Sequence, residues 1–292
     1  MSKATRILLA IVAAWSFAVP AARATLVQDF FTLKAAPATT LSGTGNTSNP
    51  SFGTVATTSS AARLMGYFAP QSLANIGDKI TFSFSVTFND GATYASPGDN
   101  FRFALFDRSL EANTIATNSN LAVTGNDDTD QLRGYWFGVK TGSGTAPNGS
   151  IRERNVVDGS QDDPFANGST TSLGSGSGTN VTFTGAVNGT GTAPVYTGLM
   201  ELQLTATGLS ISGSFNGNGG ANTFAFLDTT PIALSYSAIG FLNAGPLSID
   251  QMNFQSVDVS LQLVPEASAV ALLGMVGVIS GLGVYWRRRV RI

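Results

Sequence analysis

Cysteine and histidine are both absent from this chain of 292 residues. Without cysteine there can be no disulfide and no thiolate metal site, so the fold depends on its hydrophobic core alone. Without histidine the chain lacks the commonest general base and the commonest transition-metal ligand. Serine and cysteine catalytic triads are excluded in their usual forms, and the sequence favours a protein that is not an enzyme.

Charged residues are also scarce, at 12% of the sequence, whereas glycine accounts for 33 residues. This composition, rich in Ser, Thr and Asn as well, is typical of extracellular all-β proteins. Between Thr25 and Val264 there are 9 Lys or Arg and 17 Asp or Glu, which gives this part a net charge of −8. An acidic body argues against nucleic acid as a partner, because phosphate neutralisation needs a basic face.

The N-terminal residues 1–24 have the layout of a secretory signal peptide. Two basic residues precede the 13-residue apolar run Ile7–Val19, which Pro20 ends. The small residues Ala22 and Ala24 predict cleavage after Ala24, and therefore the Sec translocon and signal peptidase as partners. A permanent anchor is the weaker interpretation, because this run spans only about 20 Å of a roughly 30 Å hydrocarbon core.

The C-terminal residues 264–292 have a different layout. Val264, Pro265 and Glu266 precede an uncharged stretch at 267–286. A helix of this length reaches about 30 Å, so we expect it to span a membrane. The positive-inside rule then places the body outside the cytoplasm, because the chain ends in a basic cluster of Arg287, Arg288, Arg289 and Arg291.

This tail resembles the PEP-CTERM sorting signal of Gram-negative bacteria, although Ala267 stands where the usual motif has a second proline. The resemblance implies transient retention in the inner membrane and processing by an exosortase near Val264–Glu266. It further implies release to the cell surface or extracellular space, in association with exopolysaccharide and biofilm matrix. A plain C-terminal membrane anchor is the alternative.

The body, residues 25–263, shows the two-residue alternation of half-buried β-strands. The clearest cases are Ile80–Phe88, Val257–Leu263 and Met200–Leu204, and the last is predicted to form a hairpin with Leu209–Phe215. Further strands are predicted at 63–68, 101–106, 133–141, 150–157, 180–187, 222–227 and 234–241. We expect an all-β, antiparallel β-sandwich between two terminal helices. The Gly, Ser and Thr-rich segment 166–179 is expected to be a mobile loop.

Three stretches of the body, Phe101–Asp107, Gly134–Gly138 and Ala238–Phe241, resemble concanavalin-like (laminin-G-like) jelly rolls. The resemblance implies a jelly-roll fold and leaves the function open. Glycosidases of this fold carry a Glu-x-Asp-x-x-Glu strand motif, and the sequence around Glu201 has no partner acid of that kind. Since glycoside hydrolysis needs two carboxylates, catalysis is not expected.

Clustered oxygen ligands suggest one cation site in the loop that holds Asn126, Asp127, Asp128 and Asp130. Ca²⁺ prefers six to eight such ligands, and no other cofactor is predicted. The spacing lacks the glycine and closing glutamate of an EF-hand, so an acidic solvated turn is the alternative.

Tyr135 and Trp136 follow this loop, and an exposed aromatic ring beside acidic groups is suited to stack on a sugar. Neighbours on a strand face opposite ways, so core packing is the alternative for each. The nearby Arg152–Arg154 is interpreted as a surface ion pair. The sequence therefore predicts a non-catalytic exported surface or matrix protein. The alternative is a lectin-like carbohydrate-binding module, with or without a Ca²⁺ requirement.

Overall fold

The structure is a computed structural model. The predicted signal peptide up to Ala22, the tail beyond Val264 and the loop Asn126–Asp130 lie outside the residues it describes. Within the described part of the chain, no helix is long and apolar enough to cross a membrane. The described residues are 23–25, 27–33, 39–42, 51–54, 62–89, 98–110, 131–141, 149–155, 164–165, 170–179, 181, 193–243 and 251–264.

Sixteen strands follow one another along these residues. They are β1 (Arg23–Thr25), β2 (Gln28–Leu33), β3 (Thr39–Ser42), β4 (Ser51–Thr54), β5 (Ala62–Ser72), β6 (Lys79–Asn89), β7 (Gly98–Asp107), β8 (Arg133–Thr141), β9 (Ser150–Arg154), β10 (Thr170–Ser175), β11 (Ser177–Gly178), β12 (Val195–Thr205), β13 (Gly208–Gly217), β14 (Gly220–Asp228), β15 (Ser235–Asn243) and β16 (Gln251–Gln262).

The strands form two sheets within one compact unit, Arg23–Leu261. Sheet A has nine strands in the order β11-β14-β13-β12-β6-β16-β4-β3, and β1 also pairs with β16. Sheet B has seven strands in the order β10-β9-β8-β7-β15-β5-β2. The pairings are antiparallel, as between β12 and β6 or β7 and β8. The predicted antiparallel β-sandwich is therefore confirmed.

The core between the sheets is unusually aromatic. Phe84 of sheet A contacts six other aromatic rings, with Phe241 at 4.9 Å and Phe103 at 5.1 Å between centroids. Gly198 lies opposite Phe84 in the ladder, and a Cβ at Gly198 would fall only 2.1 Å from Phe84 Cζ. Glycine at this position therefore leaves the space that the ring occupies. Truncating Phe84 to alanine would cost about 3–5 kcal/mol.

The two sheets differ on their outer faces. On sheet A, the outward residues of β6 between Thr81 and Thr87 are hydroxylated and half-exposed. On sheet B, the outward residues form a second hydrophobic layer that includes Phe106, Trp136 and Leu242, and Phe165, which belongs to no strand, packs against it. Sheet B is thus covered on both faces, whereas sheet A meets solvent on one.

Several sequence-based boundaries need correction. Residues 170–178, expected as a mobile loop, form β10 on sheet B and β11 on sheet A, so this segment joins the edges of the two sheets. The strand predicted at 150–157 ends at Arg154. The strand predicted at 180–187 lies outside the described residues, apart from Val181. The predicted cleavage point after Ala24 falls within β1, which pairs with Val259–Leu261.

Candidate ligand-binding face

The two aromatic residues predicted to contact a ligand, Tyr135 and Trp136, are adjacent on β8 and point to opposite faces of sheet B. Tyr135 packs between the sheets, and Trp136 packs in the outer layer. Both side chains are 0% exposed. The expected exposed stacking platform is therefore absent at both positions, because each face of sheet B is covered. The core-packing alternative describes both residues.

The predicted Ca²⁺ ligands Asn126, Asp127, Asp128 and Asp130 lie outside the described residues. Within the described ranges, no group of three or more Asp or Glu side chains is arranged to hold a metal ion. The Ca²⁺ site stays a prediction.

Two arginines flank Trp136 on the outer face of sheet B. Arg152 of β9 lies directly opposite Trp136 in the ladder, and Arg102 of β7 lies opposite Gly138, two residues further along β8. Arg102 Cζ is 4.4 Å and Arg152 Cζ is 5.7 Å from the indole centroid. Cations within about 6 Å of an indole face are attracted to it by about 0.5–2 kcal/mol. The buried indole Nε1 has no hydrogen-bond acceptor among the described residues.

Phe165 covers the middle of this face. Its ring centroid lies 5.7 Å from that of Phe106 and 6.5 Å from that of Trp136. Its carbonyl oxygen accepts a hydrogen bond from Arg102 Nη1. Gly240 of β15 makes room for the ring, because a Cβ there would come within 2.9 Å of Phe165 Cζ. The chain around residues 164–165 is therefore packed onto sheet B.

An ion pair joins the end of β7 to the start of β8, on either side of the connection of residues 108–132. Asp107 and Arg133 face each other in the ladder, and Arg133 Nη2 lies 2.6 Å from Asp107 Oδ2. Ser109 donates its N–H and its hydroxyl to the same carboxylate, each at 2.8 Å. The connection that carries the predicted Ca²⁺ ligands therefore leaves and rejoins sheet B at a fixed point.

A buried polar group that the sequence did not indicate lies between the sheets. Tyr135 Oη donates to Asp228 Oδ2 of sheet A at 2.6 Å and lies 3.4 Å from Glu153 Oε1. Glu153 is opposite Tyr135 in the ladder, so both point into the sandwich. The N–H of Thr230 donates to Asp228 Oδ1 at 2.9 Å. Glu153 and Asp228 are only 8% and 5% exposed.

Burial determines the protonation of this group. Burial, together with the neighbouring carboxylate of Asp228, raises the pKa of Glu153 from 4.5 to about 7. Burial likewise raises the pKa of Tyr135 and of Tyr236, so both phenols remain donors. The two carboxyl groups meet each other between the sheets and are enclosed there. They serve as a contact between the sheets, whereas a glycosidase needs carboxylates that reach its substrate.

The neighbouring arginine is also buried. Arg154 is 0% exposed, and its Nε donates to the carbonyl oxygen of Leu132 at 2.9 Å. The expectation of a surface ion pair at Arg152–Arg154 is therefore wrong for Glu153 and Arg154. Only Arg152 remains partly exposed, and its Nη1 lies 3.1 Å from Thr170 Oγ1.

No family model and no curated protein matches this sequence. Solved structures that are similar include the Lotus tetragonolobus seed lectin, at 11% identity and a TM-score of 0.45, covering 84% of this chain and 100% of that one. A Bauhinia forficata lectin in complex with GalNAc has 9% identity and a TM-score of 0.43, covering 83% and 98%. Peanut lectin has 16% identity and a TM-score of 0.41, covering 81% and 98%. At identities and TM-scores this low, none of them assigns a family, a ligand or a site to this chain.

Proposed function

We propose that this chain is a non-catalytic, exported carbohydrate-binding protein of the cell surface or extracellular matrix. Its ligand site lies in the layer that covers the outer face of sheet B. The observation that carries this proposal is the arrangement of Arg102, Trp136 and Arg152 beneath Phe165. This arrangement lies on the same sheet as the connection of residues 108–132, whose two ends are joined by the ion pair of Asp107 and Arg133.

The chemistry of this layer suits a polyhydroxylated ligand. Arg102 and Arg152 are partly exposed, and guanidinium groups supply several N–H donors in fixed directions. Long connections held by a rigid sheet are the usual place for binding residues, and residues 108–132 form such a connection. Its carboxylates and amide would supply oxygen ligands if Ca²⁺ takes part.

The composition and the placement of the acids both support a non-catalytic role. The chain has no histidine and no cysteine, and the close pair Glu153–Asp228 is enclosed between the sheets. Binding without turnover is the function that these residues can perform.

Export and sorting complete the proposal. The charge and hydropathy of residues 1–24 support entry into the Sec pathway, and the tail from Val264 supports sorting by an exosortase after transient residence in the inner membrane. The arginines at 287–291 oppose translocation of the tail and keep the body outside. Extracellular polysaccharide is then the carbohydrate within reach of the released body.

A glycan array tests the binding proposal directly. Residues 23–264, which contain every described strand, should bind a subset of saccharides, and the array is run with Ca²⁺ and with a chelator. Arg102→Ala and Arg152→Ala should each weaken binding at least severalfold. Lys79→Ala, on the outer face of the opposite sheet, is the matched control and should bind as the wild type does.

The outcomes separate the alternatives. Binding that the chelator abolishes would place Ca²⁺ in the site and point to Asn126–Asp130. If the folded protein binds no saccharide under either condition, the carbohydrate-binding proposal is wrong, and the body is a surface or matrix protein of another kind.

A further inference from the structure

The outer face of sheet B gathers most of the arginines that the structure describes. Residues opposite each other in a ladder point to the same face. In the ladders of sheet B, Arg63 and Arg102 both lie opposite Leu242 of the outer layer, and Arg152 lies opposite Trp136. The arginines of this face are Arg63, Arg102, Arg108, Arg152 and Arg154. Five of the nine basic residues of a body with a net charge of −8 are thus on one face.

The carboxylates whose side chains the structure describes lie elsewhere. Asp107 and Glu153 alternate with the arginines of β7 and β9, so they point to the inner side of sheet B, where they are 4% and 8% exposed. The others belong to sheet A or to the turn before β6: Asp78, Glu201, Asp228 and Asp258. The described part of the outer face therefore contains arginine side chains and no carboxylate.

Arg108, the residue directly after β7, shows what this face can bind. Its guanidinium Cζ lies 3.5 Å from the ring centroid of Tyr67 in the outer layer, so the flat group packs against the ring. Its N–H donates to Ser237 Oγ at 3.3 Å. Arg108 takes part in neither of the ion pairs that the structure describes, and its buried Nε has no hydrogen-bond acceptor among the described residues. A positioned, half-exposed guanidinium therefore has donors that a ligand can use.

The middle of the face has a second donor of this kind. Trp136 is 0% exposed, and its indole Nε1 has no acceptor within the described ranges. Guanidinium and indole N–H groups donate and never accept, and a buried donor without an acceptor is unfavourable. A ligand of this layer must therefore bring acceptors. A carboxylate accepts only, and it can receive two parallel hydrogen bonds from one guanidinium.

The spread of the half-exposed arginines indicates an extended ligand. Arg102 and Arg108 are six residues apart along the chain of β7, which is about 20 Å in a strand. Arg152 lies on β9, two strands from β7 and so about 10 Å across the sheet. These three side chains cannot converge on one sugar, but they can contact successive sugars of a polymer. A neutral sugar has hydroxyl groups that donate as well as accept, and this face has no described carboxylate to receive them.

We propose that the ligand of the outer face of sheet B is an acidic polysaccharide, whose carboxylate groups pair with Arg102, Arg108 and Arg152. This inference rests on the proposed function and names the chemical class of the ligand. The planar fork of arginine matches a carboxylate, so the face distinguishes a uronic acid from the neutral sugar of the same shape. Because the body as a whole is acidic, its remaining surface repels a polyanion, and the binding depends on this face.

Reduction of the carboxylates of the ligand tests the proposal without changing the protein. The full chain is kept in solution by a polyoxyethylene detergent, which has no sugar headgroup. It is titrated with polygalacturonate, alginate and hyaluronate, and with the same polymers after their carboxylates are reduced to primary alcohols. At least one of the three should bind, and reduction should weaken that binding by about tenfold or more. Rising ionic strength should weaken binding to the acidic form, since salt screens charge pairs.

Two matched variants identify the face. Arg108→Gln removes a cation that lies outside the arrangement beneath Phe165, and it should weaken binding to the acidic polymer severalfold. Lys79→Gln removes the same charge from the opposite sheet and should bind as the wild type does. Arg108→Lys keeps the charge without the planar fork, so its affinity should lie between those of Arg108→Gln and the wild type. Circular dichroism checks that each variant is folded.

The outcomes separate this inference from the proposed function. If only neutral glycans bind, if carboxyl reduction leaves the affinity unchanged, or if a folded Arg108→Gln binds as the wild type does, the acidic ligand is wrong and carbohydrate binding stands. If single-stranded DNA competes as strongly as the acidic polymer, the face recognises polyanions in general, which also overturns the inference. If neither these polymers nor any glycan of the array binds, both proposals fail.

Discussion

Tyr135 and Asp228 join the two sheets through a hydrogen bond of 2.6 Å between the phenol Oη and the carboxylate Oδ2. Tyr135 belongs to β8 of sheet B, and Asp228 is the last residue of β14 in sheet A. Hydrogen bonds of this length to a carboxylate are among the stronger ones in proteins. Strands of different sheets share no backbone ladder, so side-chain contacts of this kind hold the two sheets together near the end of β14.

Replacing Tyr135 with phenylalanine should therefore destabilise the fold. We expect Tyr135→Phe to lower the free energy of unfolding by about 1.5–3 kcal/mol, because the buried carboxyl group of Asp228 loses a donor. Urea denaturation of residues 23–264, followed by circular dichroism, measures the change. Asp228→Asn and the double variant complete a mutant cycle, in which the double variant should be clearly less destabilised than the sum of the two single variants. Additive effects would show that the two groups are not coupled.

The stability of the sandwich should fall as the pH rises from about 4.5 to about 7. Glu153 has a pKa of about 7 in the folded chain and an ordinary value of 4.5, so its proton is bound more tightly in the folded state. Its contribution is fully present below the unfolded pKa and is lost as the pH rises through the folded pKa. Thermal unfolding of residues 23–264 across this range measures the slope.

Glu153→Gln isolates the residue responsible for this slope. The amide keeps the shape of the side chain and cannot ionise, so the variant should show a flatter profile and be more stable than the wild type above pH 7. Glu201→Gln, a change on the outer face of sheet A, is the matched control. An unaltered slope in Glu153→Gln would assign the pH dependence to other groups.

Periodicity predicted the strands that are buried on one face and solvated on the other. Ile80–Phe88 alternates apolar and hydroxylated residues, and it forms most of β6 with the apolar residues facing the core. The opposite directions of Tyr135 and Trp136 followed from the same period of two. Local sequence is sufficient to predict these features because, in a half-buried strand, alternate residues face the core and the solvent and differ in polarity accordingly.

Contacts between distant segments could not be predicted in this way. Thr170–Ser175 is an edge strand whose one large hydrophobic residue is Leu173, so its composition is that of a loop. The pairing of Glu153 with Asp228 depends on how the two sheets are superposed, which no local pattern records. The cover over Trp136 was missed for a related reason, since the sequence around Phe165 shows no strand or helix periodicity.

Gly240 should tolerate alanine poorly. A Cβ at this position would lie 2.9 Å from both Met65 Sδ and Phe165 Cζ and 3.1 Å from Phe106 Cε2. Gly240→Ala should therefore push the side chains of Phe165 and Met65 away from β15, and we expect it to lower the free energy of unfolding by about 1–3 kcal/mol. Trp136 is the sole tryptophan of residues 23–264, so its fluorescence should shift to longer wavelength if the cover is lifted.

Gly174→Ala is the control for this prediction. The nearest atom to a Cβ at Gly174 is Phe226 Cδ2 at 3.8 Å, which is an ordinary contact. Gly174→Ala should therefore leave both the stability and the tryptophan emission close to those of the wild type. Equal effects of the two variants would show that the cover does not depend on the space at Gly240.

Export should produce a chain that starts at Thr25. Cleavage after Ala24 follows from the small residues at 22 and 24, and it would remove Arg23 and Ala24 from β1, whose described pairing is with Val259–Leu261. Because so few ladder bonds are involved, the body should remain folded after cleavage. N-terminal sequencing of the exported protein checks the site, and a mature form that retains Met1 would contradict it.

The tail should act as a sorting signal and not as a permanent anchor. A permanent anchor needs only an apolar span and flanking charge, whereas this tail also has Pro265 and Glu266 at its junction with the body. Pro265 has no N–H and cannot extend a ladder, so we expect it to separate the sandwich from the proposed membrane segment. Glu266 would place a charge at the outer surface of the inner membrane, where a membrane-embedded protease would meet it.

Following a tagged body in the native host distinguishes the two roles. The wild type should yield a shorter form at the surface, while Glu266→Ala and deletion of residues 287–291 should accumulate uncut precursor, the deletion because the arginines no longer oppose translocation of the tail. Wild-type protein that stays full-length in the inner membrane of a host with an active exosortase would make the tail an anchor. Ala267→Pro, which restores the usual motif, is then the decisive variant, because only a sorting tail impaired by Ala267 would regain processing.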